Sequence, residues 1–514
     1  MRPAAELDLP VVLDRDAATP LHVQLAAALR SMALSGVLPA GGRLPATRLL
    51  AARLGVARST VLAAYEQLDG EGYLHSRHGS GTYLTAHLHP VAARQHRVAV
   101  PDRCDDSADP PGVVDLRPGR PRTDRLADPA WTRAWRAAAA TAPAAEAPRL
   151  GLAALRREIS AHLAVARGLV ADPEQVLITA GARDGLALLA LALDAAGRRV
   201  AVEDPGYPAT RRVLTRLGAD LVAVAVDHDG LVVDALPRGA RVPRLLVVTP
   251  SHQYPLGGRL PVDRRLALLD WASRHDVVLA EDDYDSEFRF DVAPLPALAA
   301  LDTTGRVAHL ATFSKVLTPW LRAGYLVAPP WLLPALAEVR HDLATPVSGI
   351  DQQALATYLA TGALRRHIAR SRRDYAHARA HLARRLAPHT PRIRLRGTNA
   401  GLHAVLELPP DTDIHNLLEH CRDRGVLLTT LADYDMTPRQ HPHPTVILGY
   451  GDATLAQLDQ AIDALLTGLE DHHGAVTHAS THRRGVAPAP RRTRPAVNGT
   501  FTASDAVKVP FTGL

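Results

Sequence analysis

Lysine is almost missing from this chain of 514 residues: of 59 Lys and Arg residues, only Lys315 and Lys508 are lysine. The net charge of +6 is therefore carried almost wholly by guanidinium groups. Arginine hydrogen-bonds phosphate well but lacks the deprotonable primary amine that condenses with a carbonyl, so lysine chemistry has two places to occur. Cysteine is scarce as well, with Cys104 and Cys421 far apart. That excludes a disulfide framework and a zinc module, and it points to a reduced, cytoplasmic protein. No apolar run reaches the roughly 18 residues of a membrane span. The opening residues, MRPAAELDLP, are acidic and carry no apolar stretch, so no secretory signal is expected.

What is present reads as a soluble globular protein, with 47% hydrophobic and 22% charged residues. The length suggests about two to four domains. Composition divides the chain into residues 1–86, dense in periodic apolar positions, and residues 87–114, a polar, proline-bearing linker. Residues 115–470 follow, where apolar strand-like runs alternate with helical stretches. The runs include Val176–Thr179, Arg199–Val202, Leu245–Thr249, Val277–Ala280 and Val307–Ala311. Such alternation predicts an α/β domain with a largely parallel sheet, because parallel strands need crossover helices. Residues 471–514 have six basic and two acidic side chains and no hydrophobic pattern, which predicts a disordered basic tail.

In the first segment Leu21, Leu25, Leu29 and Met32 recur at helical spacing, and the pattern stops near Gly36. Thr47–Leu54 and Arg58–Leu68 read as two further helices separated by Gly55-Val56. Two short helices joined by a tight turn make a helix-turn-helix, whose second helix enters the DNA major groove. Arg58, Ser59 and Thr60 open that helix, where side chains meet base edges or phosphates. Tyr73–Leu74 and Thr82–Leu84 flank His78-Gly79-Ser80-Gly81 as a hairpin, a candidate wing. Six arginines against three acids over residues 20–83 do not decide between a DNA-reading surface and three structural helices.

The strings Gly42-Arg43-Leu44-Pro45-Ala46-Thr47-Arg48, Leu54-Gly55-Val56-Ala57-Arg58-Ser59-Thr60-Val61, Glu71-Gly72-Tyr73-Leu74 and Gly79-Ser80-Gly81-Thr82-Tyr83 resemble the winged helix-turn-helix of GntR-family repressors. The resemblance implies DNA contacts by Arg48, Arg58, Ser59, Thr60, His78 and Gly79. His22 stands where that family usually has tyrosine.

Lys315 follows the run Val307–Ala311 in Thr312-Phe313-Ser314-Lys315. Alone it would be surface decoration. The acidic cluster Glu281-Asp282-Asp283-Tyr284-Asp285 also follows a strand, and Asp282 and Tyr284 are two apart. A carboxylate that keeps a pyridine nitrogen protonated, and a tyrosine at the ring oxygen, are what pyridoxal phosphate needs beside its lysine. The same cluster suits Mg²⁺, which would leave the lysine without a role. Arg322 and Thr312 supply groups for a phosphate, and Gly181-Ala182-Arg183 open a helical run, Leu186–Leu193, with backbone donors. Tyr207, in the turn Glu203-Asp204-Pro205-Gly206-Tyr207-Pro208, can stack on a flat ring or simply pack.

These motifs resemble fold-type-I aminotransferases, and more closely the MocR/GabR subfamily of GntR regulators, in which such a domain follows a winged helix. Thr249-Pro250-Ser251-His252-Gln253-Tyr254-Pro255-Leu256-Gly257 and Phe313-Ser314-Lys315 carry the likeness, and Gly401-Leu402-His403 and Leu448-Gly449-Tyr450 echo the small domain. The resemblance implies a multidomain α/β protein: a winged helix-turn-helix plus large and small domains of a pyridoxal-phosphate-dependent transferase. It implies Lys315 as the aldimine lysine, Asp282 at the pyridine nitrogen, Tyr284 at the ring oxygen and Tyr207 as the stacking ring. Arg322, Thr312, Gly181 and Ala182 form the phosphate cup, and Tyr254 stands where free-standing aminotransferases keep asparagine. Arg183 departs from the subfamily's usual glutamine, and Ala209 occupies the position two after Tyr207, so GABA specificity is not carried over. Arg439 is a candidate for an effector's carboxylate.

The expectation is a cytoplasmic homodimeric transcription regulator bound to a double-stranded DNA operator. It would sense an amine, an amino acid or pyridoxal 5'-phosphate itself through Lys315. A working aminotransferase with an appended DNA-binding domain is the second reading, and a degenerate domain that no longer binds cofactor is the third.

Overall fold

A computed structural model describes residues 10–482 apart from 78–79, 87–111, 143, 291–295 and 345–346, with side chains described up to residue 470. The chain separates into two compact units, Met1–Ser107 and Ala108–Leu514.

The first unit holds α1 (Leu21–Leu34), α2 (Thr47–Leu54) and α3 (Arg58–Gly70), followed by the antiparallel hairpin β1 (Leu74–Arg77) and β2 (Gly81–Leu84). The helical periodicity is satisfied by one shared core: Leu25 and Leu29 from α1, Leu50 from α2, and Val61, Ala64 and Leu68 from α3 are buried with Leu74 and Leu84 of the hairpin. Met32 packs against this core while only partly covered. Arg30 of α1 holds Glu71, just past α3, through two bonds of 2.8 and 2.6 Å. This bidentate pair ties α1 to the end of α3. The three expected helices and the hairpin are all present; the wing residues His78 and Gly79 lie outside the described residues.

The second unit is built on an eight-stranded sheet. Its order is Val176–Thr179, Gly324–Val327, Val307–Thr312, Val278–Asp283, Leu245–Val248, Arg199–Asp204, Asp220–Asp227 and Gly230–Leu231. The five strands from Val307–Thr312 to Asp220–Asp227 run parallel, and antiparallel strands flank them. Alternation of side chains makes two cores from one sheet. Leu245 and Val247 face a core shared with Leu186 and Leu189 of the helix Ala182–Ala192. Leu246 and Val248 face the other, with Leu268 and Trp271 of the helix Val262–His275. Each of the five apolar runs named in the sequence is a strand of this sheet. Three of them extend one to three residues further, to Asp204, Asp283 and Thr312, which carries polar residues to the strand ends.

A four-stranded antiparallel sheet holds Arg394–Arg396, His403–Glu407, Thr445–Gly449 and Thr429–Thr430, and pairs His403 with Gly449. Val114–Asp115 lies parallel to Val426–Leu427, so the strand begins at the last residue assigned to the linker. The final helix, Leu455–His482, runs twelve residues past the boundary expected at 470. Its continuation through His472, Ala475 and Ala479 shows that a polar sequence without a hydrophobic pattern extends a helix already nucleated by a packed face. The remainder of the expected basic tail, residues 483–514, lies outside the described residues. No helix among the described residues is long and apolar enough to cross a membrane.

Candidate functional site

On the first unit, Arg48 of α2 and Arg58 and Ser59 at the start of α3 are exposed, while Thr60 is half-buried. Arg58 Nε donates to Thr47 Oγ1 at 3.3 Å, which brings the starts of α2 and α3 together. The burial of Val61, Ala64, Tyr65 and Leu68 turns the opposite side of α3 outward, and its first turn presents Arg58 and Ser59. That leaves a solvent-facing helix start of the kind that meets a groove.

On the second unit, a cavity of about 160 Å³ opens at the carboxyl ends of the parallel strands. Open α/β sheets bind ligands at this edge because the connecting loops diverge there. Lys315, Asp282, Tyr284, Arg322, Tyr207, Thr312, Gly181, Ala182 and Tyr254 all line it, so every cavity residue expected from the sequence is brought to one place. Pro118, Ala180, Arg183, Thr249, Ser314 and Pro319 complete the wall.

Strand alternation sorts the acidic cluster. Glu281 accepts from the backbone N–H groups of Leu298 and Ala299 at 2.7 and 3.0 Å and pairs with His309 Nδ1 at 3.0 Å. Asp283 pairs with the buried Arg167 at 2.6 Å. Asp282 and Tyr284 sit between and after them and face the cavity. Glu281 and Asp283 are thus engaged by His309 and Arg167 on one side of the strand while Asp282 faces the cavity on the other, so these three carboxylates do not converge on one ion as the Mg²⁺ alternative requires.

Asp282 Oδ1 is buried with no hydrogen-bond partner. Burial, with Asp283 and Asp285 nearby, pushes its carboxyl up to about 7. Burial lowers the Lys315 ammonium from its ordinary value, Asp285 and Asp282 oppose that shift, and Arg183 adds to it. The neutral amine, the form that attacks a carbonyl, is therefore more accessible than on a surface lysine. Its Nζ donates to the Gly119 carbonyl at 2.5 Å. Glu203, fully enclosed beneath the cavity, is pushed up to about 7 by burial while it accepts from Thr249.

Hydrogen-bond donors of the kind that hold an anion line part of the cavity. Gly181 caps the helix Ala182–Ala192, whose first residues line the cavity. Thr312 Oγ1 donates to Ser314 Oγ at 2.9 Å, and the Ser314 N–H donates back to Thr312 Oγ1 at 3.1 Å. Arg322 holds a left-handed backbone at φ +44, a conformation that costs on the order of 1 kcal/mol in a residue with a side chain. Arg183 and Arg322 line the cavity from separate segments of the chain. Tyr254 meets Tyr207 and Tyr284 edge-on, with centroids 5.4 and 5.5 Å apart.

A pyridoxal phosphate fits this donor set on the structure's own terms. An unpartnered buried carboxylate suits a ring N–H, a helix start with two hydroxyls and two arginines suits a phosphate, and one lysine suits the aldehyde. Arg439 is not part of the cavity wall. It binds Asp204 at 2.8 Å and Asp435 at 2.9 Å, so two protein carboxylates take the place of an effector's. The residues missed in the sequence include Pro118 and Gly119, which lie far from any motif, and Ser314 and Pro319, whose nearness to Lys315 was the available signal.

Two family models match the chain: "Bacterial regulatory proteins, gntR family" over residues 21–84, and "Aminotransferase class I and II" over residues 111–440. The HTH-type pyridoxine biosynthesis transcriptional regulator PdxR of Corynebacterium glutamicum is 44% identical, covering 83% of this chain and 91% of its own. The probable rhizopine catabolism regulatory protein MocR of Rhizobium meliloti is 35% identical, covering 88% and 95%. Among solved structures, an archaeal alanine:glyoxylate aminotransferase superposes with a TM-score of 0.64 at 25% identity, covering 69% of this chain and 89% of its own. A gntR-type winged helix ahead of an aminotransferase fold, in one chain and across most of the length of both regulators, leaves one assignment. The chain belongs to the MocR/GabR subfamily of GntR-family transcriptional regulators.

Proposed function

We propose that this regulator binds pyridoxal 5'-phosphate at Lys315 and that the occupancy of this site sets how the winged helix binds its operator. The observation that carries the reading is the convergence of Lys315, Asp282, Tyr284 and Arg322 on one cavity. Among the described residues Lys315 is the sole lysine. When bound, the cofactor supplies an aldehyde that condenses reversibly with primary amines and a ring that withdraws electrons. Lys315 presents the amine, Asp282 partners the ring nitrogen, and Tyr284 donates to the ring oxygen. Arg322, Thr312, Gly181 and Ala182 hold the phosphate, Tyr207 covers the ring, and Tyr254 braces Tyr207 and Tyr284. Arg48, Arg58, Ser59, Thr60, His78 and Gly79 contact the DNA.

The effector is an amine, an amino acid or the cofactor itself. The engagement of Arg439 by Asp204 and Asp435 favours the cofactor, because it removes one carboxylate grip for an amino acid. The word "pyridoxine" in the name of the C. glutamicum relative supports the same choice. An effector shifts the regulator only through unequal affinity for its conformations, so a site closed around phosphate and ring gives the coupling a physical origin. A cytoplasmic homodimer presenting two winged helices to paired half-sites completes the reading.

The test is a gel shift on the DNA upstream of the protein's own gene, at near-physiological salt, with and without pyridoxal phosphate. Binding that changes with cofactor in the wild type and not in Lys315→Ala supports the proposal; equal responses in both overturn it. The retained lysine and acid also permit transamination. Turnover at about 1–10³ s⁻¹ with amino donors and 2-oxo acids would make the protein an enzyme first.

A further inference from the structure

Two oxygens share one nitrogen beneath the cavity. His252 Nδ1 lies 2.9 Å from Asp285 Oδ2 and 2.9 Å from the Tyr284 hydroxyl oxygen. His252 is 3% exposed, and the Asp285 side chain 2%, so solvent offers neither a substitute partner. A carboxylate accepts hydrogen bonds and does not donate them, and a ring nitrogen holds at most one hydrogen. The His252–Asp285 contact is therefore attractive with the hydrogen on Nδ1, donated to Oδ2. Tyr284 then has no lone pair on Nδ1 to donate to, and its hydrogen turns away from His252. Tyr284 also lines the cavity. Burial, reinforced by Asp285, holds the phenol well above its ordinary range, so the hydrogen is retained.

The far side of the ring argues for the neutral form. His252 Nε2 is buried without a hydrogen-bond partner. A hydrogen there would be a buried, unpaired donor on a charged ring, which desolvation penalises. The neighbouring His403 ring, 5.1 Å away between centroids, is pushed down to about 4 by burial and by His252, and its Nε2 donates to the Pro255 carbonyl at 2.9 Å. Gly401 backs the His252–Asp285 bond. A Cβ there would sit 2.3 Å from Asp285 Oδ2 and 2.5 Å from His252 Cε1, and φ +79 disfavours any side chain.

We propose that His252 is a positioning residue: clamped by Asp285 with its hydrogen on Nδ1, it aims the Tyr284 hydroxyl hydrogen into the cavity, at an anionic oxygen on the bound ring. The inference deepens the reading of the cavity as a pyridoxal phosphate site and rests on it.

The first measurement needs no cofactor. Long-range ¹H–¹⁵N correlation on histidine-labelled protein, with His252 identified by the loss of its signals in His252→Asn, reports which nitrogen is protonated. Hydrogen on Nδ1 and none on Nε2 is expected; the opposite tautomer or a doubly protonated ring overturns the proposal. The second measurement titrates the visible absorption of cofactor-loaded protein. Asp282, Asp285, Glu203, Tyr254, His403 and Lys315 surround this pair and are unchanged in every variant. His252→Phe and Tyr284→Phe are expected to move the midpoint in the same direction, by about tenfold in proton affinity, or one pH unit. His252→Asn, whose amide can still donate to Asp285, is expected to stay closer to wild type. A wild-type midpoint in His252→Phe overturns the inference and leaves the cofactor site standing. Failure of the wild type to take up pyridoxal phosphate overturns the site reading, and with it the role assigned to His252, whatever the tautomer.

Discussion

Lys315 and Gly119, 196 residues apart in sequence, meet at the cavity: the lysine Nζ donates to the Gly119 carbonyl at 2.5 Å, and a Cβ on Gly119 would stand 2.7 Å from that nitrogen. Gly119 has φ +106, where a side chain is strained as well as crowded. The segment that follows the linker therefore determines where the amine can sit. Gly119→Ala is expected to keep the fold, since the residue lies in a turn, and to slow the appearance of the bound cofactor's visible absorption by about tenfold, roughly 1.4 kcal/mol in the barrier. Far-ultraviolet circular dichroism checks the fold and stopped-flow absorbance the rate.

Lys315→Ala removes the amine altogether. The visible band is expected to vanish, and retention of pyridoxal phosphate through gel filtration to weaken by about two orders of magnitude, near 2.7 kcal/mol. Equilibrium dialysis measures the remainder, which reports the phosphate cradle alone.

Asp282 gives a pH dependence with a definite sign. Its folded pKa, about 7, is raised above the ordinary 3.8 by burial and by Asp283 and Asp285. The folded state thus binds a proton more tightly than the unfolded chain, so this group destabilises the cofactor-free protein as pH rises from about 4 through 7. Asp282→Asn is expected to stabilise the cofactor-free form at pH 8 by on the order of 2 kcal/mol after screening by the open cavity, with the gain shrinking toward pH 4. Thermal melts of both proteins across this range decide it. The same variant is expected to bind cofactor more weakly.

Arg322→Ala separates phosphate from ring. Affinity for pyridoxal phosphate is expected to fall about tenfold to a hundredfold, with little change for unphosphorylated pyridoxal. Equal losses for both ligands, measured by fluorescence titration, would place Arg322 outside the phosphate contact.

On the first unit, Arg58→Ala is expected to weaken operator binding by about 1–3 kcal/mol. Arg48→Ala is expected to reduce the slope of log affinity against log salt by about 1 if its contact is to phosphate. Fluorescence anisotropy over a salt series measures both.

Much of this architecture was legible because it rests on local rules. Leu245 to Val248 form an unbroken apolar run because both faces of their strand are covered, one by Leu186 and Leu189 and the other by Leu268 and Trp271. Asp282 and Tyr284 share the cavity because a strand repeats every two residues. Longer-range facts were hidden. Nothing near Gly119 announces that it will meet Lys315, since the fold alone closes that distance. Arg439 looked free in sequence, yet Asp204 and Asp435 reach it from separate segments. The last helix outran its apolar pattern because the packed turns before residue 470 had already met the cost of nucleation.

The scarcity of lysine has a chemical consequence beyond the site. Aldehydes in the cell add to exposed amines indiscriminately, and an ordinary protein offers dozens of them. Here the described surface offers guanidinium groups instead, and the single described lysine is sunk beside Gly119. Among the described residues a bound aldehyde therefore has one lysine to report on, and the whole chain adds only Lys508 to it.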